Sequence, residues 1–185
     1  KHSKILVVGK EPDPKIEAEL GTKVQNLTFE ELTASYEAAD KSRAKSLARK
    51  WIMGARRVEE PSREEITKSA CMYLGMLSLL DQHKADAITV HCLHGFYGGK
   101  LTAYPCLGFH ELLNEGLGGA CECDVRSTGI MVAMGLLTKG RPGYISDPVI
   151  DTARRQIVYA HCVASNRAFG PRGHVNPFEL LTHSE

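Results

Sequence analysis

Apolar residues in this chain come alternately in short unbroken runs and at helical spacing, beginning at the N-terminus. K-I-L-V-V-G (4–9) is an unbroken run closed by glycine, the pattern of a strand buried on both faces. T-K-V-Q-N-L (22–27) alternates and predicts a short second strand. Thr28 and Glu31 then form the T-x-x-E of a capping box, which opens a helix through Ala38. Residues 41–58 are rich in Ala, Lys and Arg, with Leu47, Trp51 and Ile52 at helical spacing. A second box, Ser62 with Glu65, follows Pro61 and opens a helix to Gln82. Its spacing puts Ile66, Ala70, Tyr73, Leu77 and Leu80 on the buried side.

D-A-I-T-V-H-C (86–92) predicts the next strand, and L-H-G-F-Y-G-G-K-L-T-A-Y-P a loop. C-L-G-F-H-E-L-L-N-E-G (106–116) reads as a helix closed by Gly116. G-A-C-E-C (119–123) reads as a strand, residues 125–140 as a helix ending at Gly140, and P-G-Y-I-S-D (142–147) as another strand. This order predicts an α/β fold: an open parallel sheet with helices on both faces. After Asp147 two extended segments flank a polar turn at 151–155, a hairpin, and a tail rich in Gly, Pro and Asn follows. The expected organisation is an α/β domain over 1–147 and the start of a β-rich domain over 148–185. The start at Lys1 and the stop at T-H-S-E suggest a segment of a longer chain.

Composition excludes several classes. With 23 Lys+Arg against 22 Asp+Glu, and no basic tract interleaved with aromatics, nucleic acid is not an expected partner. The apolar runs are too short to cross a bilayer, so no membrane association is expected, and the N-terminus lacks a signal-peptide pattern. Six cysteines, at 71, 92, 106, 121, 123 and 162, form no C-x-x-C pair, which suits reduced thiols in a cytoplasmic protein. Cysteine and histidine together raise the question of zinc, but no pair has structural-zinc spacing.

Ligands of open α/β sheets bind beyond the carboxyl ends of the strands, where the loops 92–105 and 122–126 lie. On a continued strand, Glu122 and Asp124 would share a face and converge on a cation, a shared proton or solvent. Asp124 also stands where an N-cap of the next helix belongs, and one Asp can serve both roles. Glu122 needs a partner, for which Arg126 is nearest in sequence. His91 reads as structural, His94 as an exposed ligand-binding candidate, and His161 as either a core residue or a metal ligand. Phe96, Tyr97 and Tyr104 offer a wall for a polar organic ligand, or simply packed aromatics, with Lys100 beside them. Cys121 and Cys123 are poorly placed for a mutual disulfide and read as buried thiols.

The ordered set "AITVHCLHGFY", "PCLGFHELLNEG", "GACECDVRSTGIMVAMGLLTKGRPGYISD" and "QIVYAHCVAS" resembles the L-fucose isomerase family over most of residues 84–165. The resemblance implies a middle α/β domain and a C-terminal β domain of a cytoplasmic homo-oligomer. It implies aldose–ketose isomerisation of a carbohydrate, by metal-assisted proton transfer through an enediol, with a divalent metal, usually Mn2+. Asp124 matches the family's Asp at the strand end. The family's Glu falls at Gly95, and no acid occurs between Asp86 and Glu111. Glu122 or His94 would then substitute, and the family's C-terminal His would be His161, His183 or a residue beyond Glu185. The expected catalytic pair is Asp124 and Glu122, with Asp124, Glu122 and His161 on the metal and His94, Phe96, Tyr97 and Arg126 on the substrate. Two other readings remain: a non-catalytic sugar-binding or regulatory protein with an altered metal site, and an unrelated α/β enzyme in which Asp124 only caps a helix.

Overall fold

A computed structural model describes residues 3–11 and 14–182; His183, one candidate for the C-terminal histidine, lies outside them. Four parallel strands form the sheet: β1 (Lys4–Val8), β2 (Lys23–Leu27), β3 (Ala87–Val90) and β4 (Gly118–Cys121), in the order β2-β1-β3-β4. The helices are α1 (Pro14–Leu20), α2 (Phe29–Glu37), α3 (Lys41–Gly54), α4 (Arg63–His83), α5 (Cys92–Tyr97), α6 (Cys106–Asn114) and α7 (Val125–Leu137). An antiparallel hairpin, β5 (Asp147–Asp151) and β6 (Gln156–Ala160), forms a separate two-stranded sheet.

The apolar run of β1 is buried on both sides. Leu6 and Val8 join Ile88, Val90, Trp51, Met76 and Phe109 beneath α2, α3, α4 and α6. Ile5 and Val7 face the other way, with Ala87, Ile16, Val125 and Val132 beneath α1 and α7. This is the two-faced burial that an unbroken apolar strand requires. Both capping boxes form: Thr28 Oγ1 accepts from Glu31 N at 3.2 Å, and Ser62 Oγ from Glu65 N at 3.2 Å, each with the reciprocal glutamate bond. Asp40 caps α3 by accepting from Ser42 N and Arg43 N.

Three stretches differ from the sequence pattern. Cys92–Tyr97, expected as loop, is a helix with Gly95 at its centre, where an added Cβ would lie 2.5 Å from a Leu101 methyl. A six-residue helix containing glycine carries little periodic signal. β4 ends at Cys121, because Glu122 and Cys123 adopt left-handed conformations (φ 62° and 53°). Residues 141–146 are irregular: Pro142 lacks an N–H for a ladder, and a Cβ on Gly143 would lie 2.4 Å from Met131 Cγ.

The hairpin strands are almost wholly exposed, whereas the tail after them returns to the α/β body. Val163 and Leu180 are buried in the larger core, His110 Nδ1 bonds Ala164 O, and Ser165 Oγ donates to Asn114 Oδ1 at 2.7 Å. Among the described residues no helix is long and apolar enough to cross a membrane.

Candidate functional site

The chain leaves β1 for β2 on one side and returns to β3 on the other, so the strand order reverses between β1 and β3. A crevice outside the carboxyl ends at such a point is where open α/β sheets bind ligands. Here it is bounded by Gly9 and Lys10 after β1, His91 after β3, and the turn Glu122–Cys123–Asp124 after β4.

That turn is strained and tied down. Two successive non-glycine residues in the left-handed region cost about 1 kcal/mol or more each. Cys123 N bonds Val90 O at 3.3 Å, its buried thiol donates to Val8 O at 3.2 Å, and Asp124 N bonds Cys121 O at 3.2 Å. Burial pushes the Cys123 thiol up to about 12, so it stays a neutral donor. Asp124 is half-buried and caps α7, accepting from Ser127 N at 3.0 Å. Glu122 is exposed, and since the strand has already ended, strand alternation does not pair it with Asp124. Arg126 turns to α1 and pairs with Glu19 at 2.9 Å, not with Glu122.

Across the crevice, His91 precedes α5, and its Nδ1 is buried with no hydrogen-bond partner. Burial holds this imidazole below its ordinary value of 6.5; the nearby His94 and Lys10 add to the effect, and Glu122 opposes it. A neutral ring with an unspent nitrogen beside a carboxylate can accept or relay a proton. His91, read from sequence as structural, stands at the crevice with a buried, unpartnered Nδ1, a placement that sequence reasoning did not single out. The burial of one nitrogen leaves no trace in sequence. His94 is exposed, 5.3 Å from the His91 ring, with Lys100 Nζ 3.4 Å from its Nε2. Phe96 is half-buried and stacks on Tyr104 at 4.1 Å, while Tyr97 is 76% exposed. The structure thus brings His94 to the crevice beside His91 and leaves Tyr97 pointing outward.

A second feature of the carboxyl edge was not visible in the sequence. Cys92 begins α5, Cys106 begins α6, Cys121 ends β4 and Cys162 follows β6, yet their thiols meet. Cys162 Sγ lies 3.7 Å from Cys106 Sγ, 3.6 Å from Cys121 Sγ and 3.4 Å from His161 Nδ1. The Cys121 thiol also bonds those of Cys92 and Cys106. Bonds from Cys106 and Cys121 lower the Cys162 thiol well below its ordinary range, with His161 acting the same way. The Cys121 thiol is raised by its neighbours and by burial. One thiolate held by donating neighbours is the expected behaviour of such a group. The recoverable sequence signal is that each of these cysteines lies at, or within two residues of, the end of an element.

Among the described residues, Cys121, His161 and Cys162 are the only three Cys, His, Asp or Glu whose ligand atoms all lie within 4.8 Å of one another. This donor set is soft, whereas manganese favours oxygen. Asp124, Glu122 and His161 do not assemble as a triad, since His161 is engaged with thiols and an Asp124 oxygen with the cap. The residues present therefore do not fit a manganese ion at those three positions. Two clefts lie elsewhere: one around Asp86, Gly118 and Pro142 at the amino end of the sheet, and one between α2, α3 and α4. Neither is lined by the crevice residues.

Residues 8–140 match the family model described as the L-arabinose isomerase central domain. The chain is also 26% identical over 112 residues to a sulfoquinovose isomerase from Alkalicoccus urumqiensis, covering 57% of this chain and 25% of that protein. The chain thus spans about a quarter of the length of the curated relative it matches. Both similarities are to sugar isomerases, a broader class than the L-fucose isomerase family.

Proposed function

The chain belongs to the family of the L-arabinose isomerase central domain, and from that premise we propose that it is part of a carbohydrate isomerase that handles its sugar at the carboxyl edge of the sheet. The observation that carries this reading is the unspent, buried Nδ1 of His91 at the point where the strand order reverses, facing the strained turn that presents Glu122. Aldose–ketose isomerisation moves one proton between adjacent carbons through an enediol, and it needs a group that accepts that proton and returns it. Glu122 is the exposed base in this proposal, His91 the neutral partner that moves a proton on the substrate oxygens, and Asp124 the carboxylate that positions the turn and faces the ligand. His94 and Phe96 bind the sugar's hydroxyls and ring face, Tyr97 closes over its outer side, and Arg126 holds α1 against the site. The proposal extends to a homo-oligomer in the cytoplasm and to the hairpin β5–β6 as the first element of a further β unit.

A second reading has its own observation. A Cβ at Gly95 would lie 2.5 Å from a Leu101 methyl and 2.9 Å from the Phe29 ring, so the position at which the fucose isomerase resemblance expects an acid is filled by these two side chains and admits another only if they move. This favours a protein that binds sugar without turning it over. Incubation with a panel of aldoses in D2O separates the two. Isomerisation places solvent deuterium on the carbon next to the carbonyl, read by proton NMR, and Glu122→Gln should abolish it. Saturation-transfer signals from a sugar, with no deuterium incorporated from any of the panel, would establish the binding protein instead.

A further inference from the structure

The thiol group at the carboxyl edge lies outside the acid and base roles assigned above. We propose that Cys106, Cys121, Cys162 and His161 form a closed, four-ligand zinc site that fastens the base of the β5–β6 hairpin to the sheet.

Three of the ligand atoms, on Cys121, His161 and Cys162, lie within 4.8 Å of one another, and Cys106 Sγ adjoins Cys162 as the fourth. Zinc–sulfur bonds of about 2.3 Å give sulfur–sulfur edges of about 3.8 Å. The separations from Cys162 Sγ to Cys106 and Cys121 are 3.7 and 3.6 Å, and His161 Nδ1 lies 3.4 Å from the same sulfur. Three thiols and one imidazole are a ligand set of structural zinc and a poor set for manganese, magnesium or calcium. Cys92 completes the surroundings as a neighbour of Cys121. A disulfide would join two of these sulfurs and leave the others facing it without a partner, whereas one cation satisfies the whole group.

Four polar side chains with no counter-charge would otherwise be held together at the edge of a hydrophobic core that contains Cys92 and Cys121. Cys121 is buried, Cys106 is half-buried and Cys162 is exposed, so the ion reaches the site from the Cys162 side. Binding holds all three sulfurs as thiolates and releases to solvent the protons that the cluster still carries. The ligands come from the start of α6, the end of β4 and the segment just after β6. The hairpin strands themselves pack chiefly on each other and are almost wholly exposed, so ligands following β6 give the hairpin a rigid base. The site is independent of the sugar reading, since zinc binding and deuterium exchange are read separately.

The test uses the whole protein, purified with reductant and without chelator. Elemental analysis should find one zinc per chain that survives gel filtration. Replacement by Co2+ should give thiolate-to-cobalt charge-transfer absorption in the near ultraviolet and the intense visible bands of a tetrahedral site. Cys162→Ser and His161→Ala should each weaken zinc binding at least tenfold, while Cys71→Ala, at a buried cysteine elsewhere, should leave it unchanged. The wild-type cobalt spectrum decides the matter even if a variant fails to fold. Chelation should raise amide hydrogen exchange over 156–166 while leaving β1 and β3 protected. Absence of zinc, with octahedral or no cobalt absorption on the reduced protein, overturns the proposal. So does a Cys106–Cys162 or Cys121–Cys162 disulfide found by peptide mass mapping of the protein as purified.

Discussion

Helix α6 takes part in two polar clusters of opposite kind. At its middle, Glu111 is 7% exposed, yet it accepts from the Trp51 indole at 3.0 Å and from Lys50 at 3.1 Å. Burial alone would raise this carboxyl, but the indole and ammonium more than offset it and hold the group below its ordinary value. At its start, Cys106 faces the thiol of Cys162, which in turn adjoins the Cys121 thiol and the His161 imidazole, with no opposite charge among them. The first cluster is complete within the chain and its work is to join α3 to α6. The second is complete only with a ligand. Buried polar groups that satisfy each other speak for stability, and those that merely gather speak for a binding site.

That contrast can be broken from either side. The largest effect is expected at the satisfied cluster. Trp51→Ala removes a core side chain and strands Glu111, and should cost about 4 kcal/mol in chemical denaturation followed by circular dichroism. Trp51→Phe keeps most of the packing and should cost about 2 kcal/mol through the lost indole bond alone. If the two variants lose the same stability, the hydrogen bond and not the packing is what matters at Trp51.

Next comes the turn. Asp124→Ala should cost about 1 kcal/mol through the lost cap, and Asp124→Asn almost nothing, because Asn caps nearly as well. Equal losses would show that the charge of Asp124, rather than its bond to Ser127, holds the turn.

The pH dependence sharpens the comparison further. Glu111 has a depressed folded value, so its contribution is full above the ordinary 4.5 and is lost as pH falls through the lower folded value. His91 is also depressed, as a base buried neutral. Its contribution is full above 6.5 and is lost as pH falls through its folded value. Stability against pH should therefore show one decline beginning below 6.5 that His91→Gln removes, and a second below 4.5 that Glu111→Gln removes. An unchanged first decline in His91→Gln would contradict the buried, unpartnered imidazole. The smallest effect is expected at Arg126→Ala. Its pair with Glu19 is exposed on both sides, and thermal melts should place its loss at no more than about 0.5 kcal/mol.

Much of the frame was legible before the structure. The two capping boxes, the buried run of β1 and the parallel order of strands and helices all rest on local patterns of a few residues. What was not legible depends on tertiary contact. Gly95 makes α5 look like loop, yet it lets Leu101 and Phe29 close on that helix. The left-handed pair Glu122–Cys123 is held by bonds to Val8 and Val90, and nothing in G-A-C-E-C announces them. Glu122 and Asp124 do lie just past the end of β4, but strand alternation cannot join them, because the strand stops at Cys121. Cys106, Cys121 and Cys162 are far apart in sequence, so no spacing rule finds them. Only the fold assembles them.

The central claim is that the sugar is handled at the carboxyl edge of the sheet and not in the cleft at its amino end. Titrating an aldose that exchanges or binds into uniformly 15N-labelled protein, and following the backbone amide spectrum, tests this directly. The account predicts that shifts concentrate at Gly9, Lys10, His91, Glu122, Cys123 and Asp124. Shifts concentrated instead at Asp86, Gly118 and Gly143, with the carboxyl edge unmoved, would contradict it.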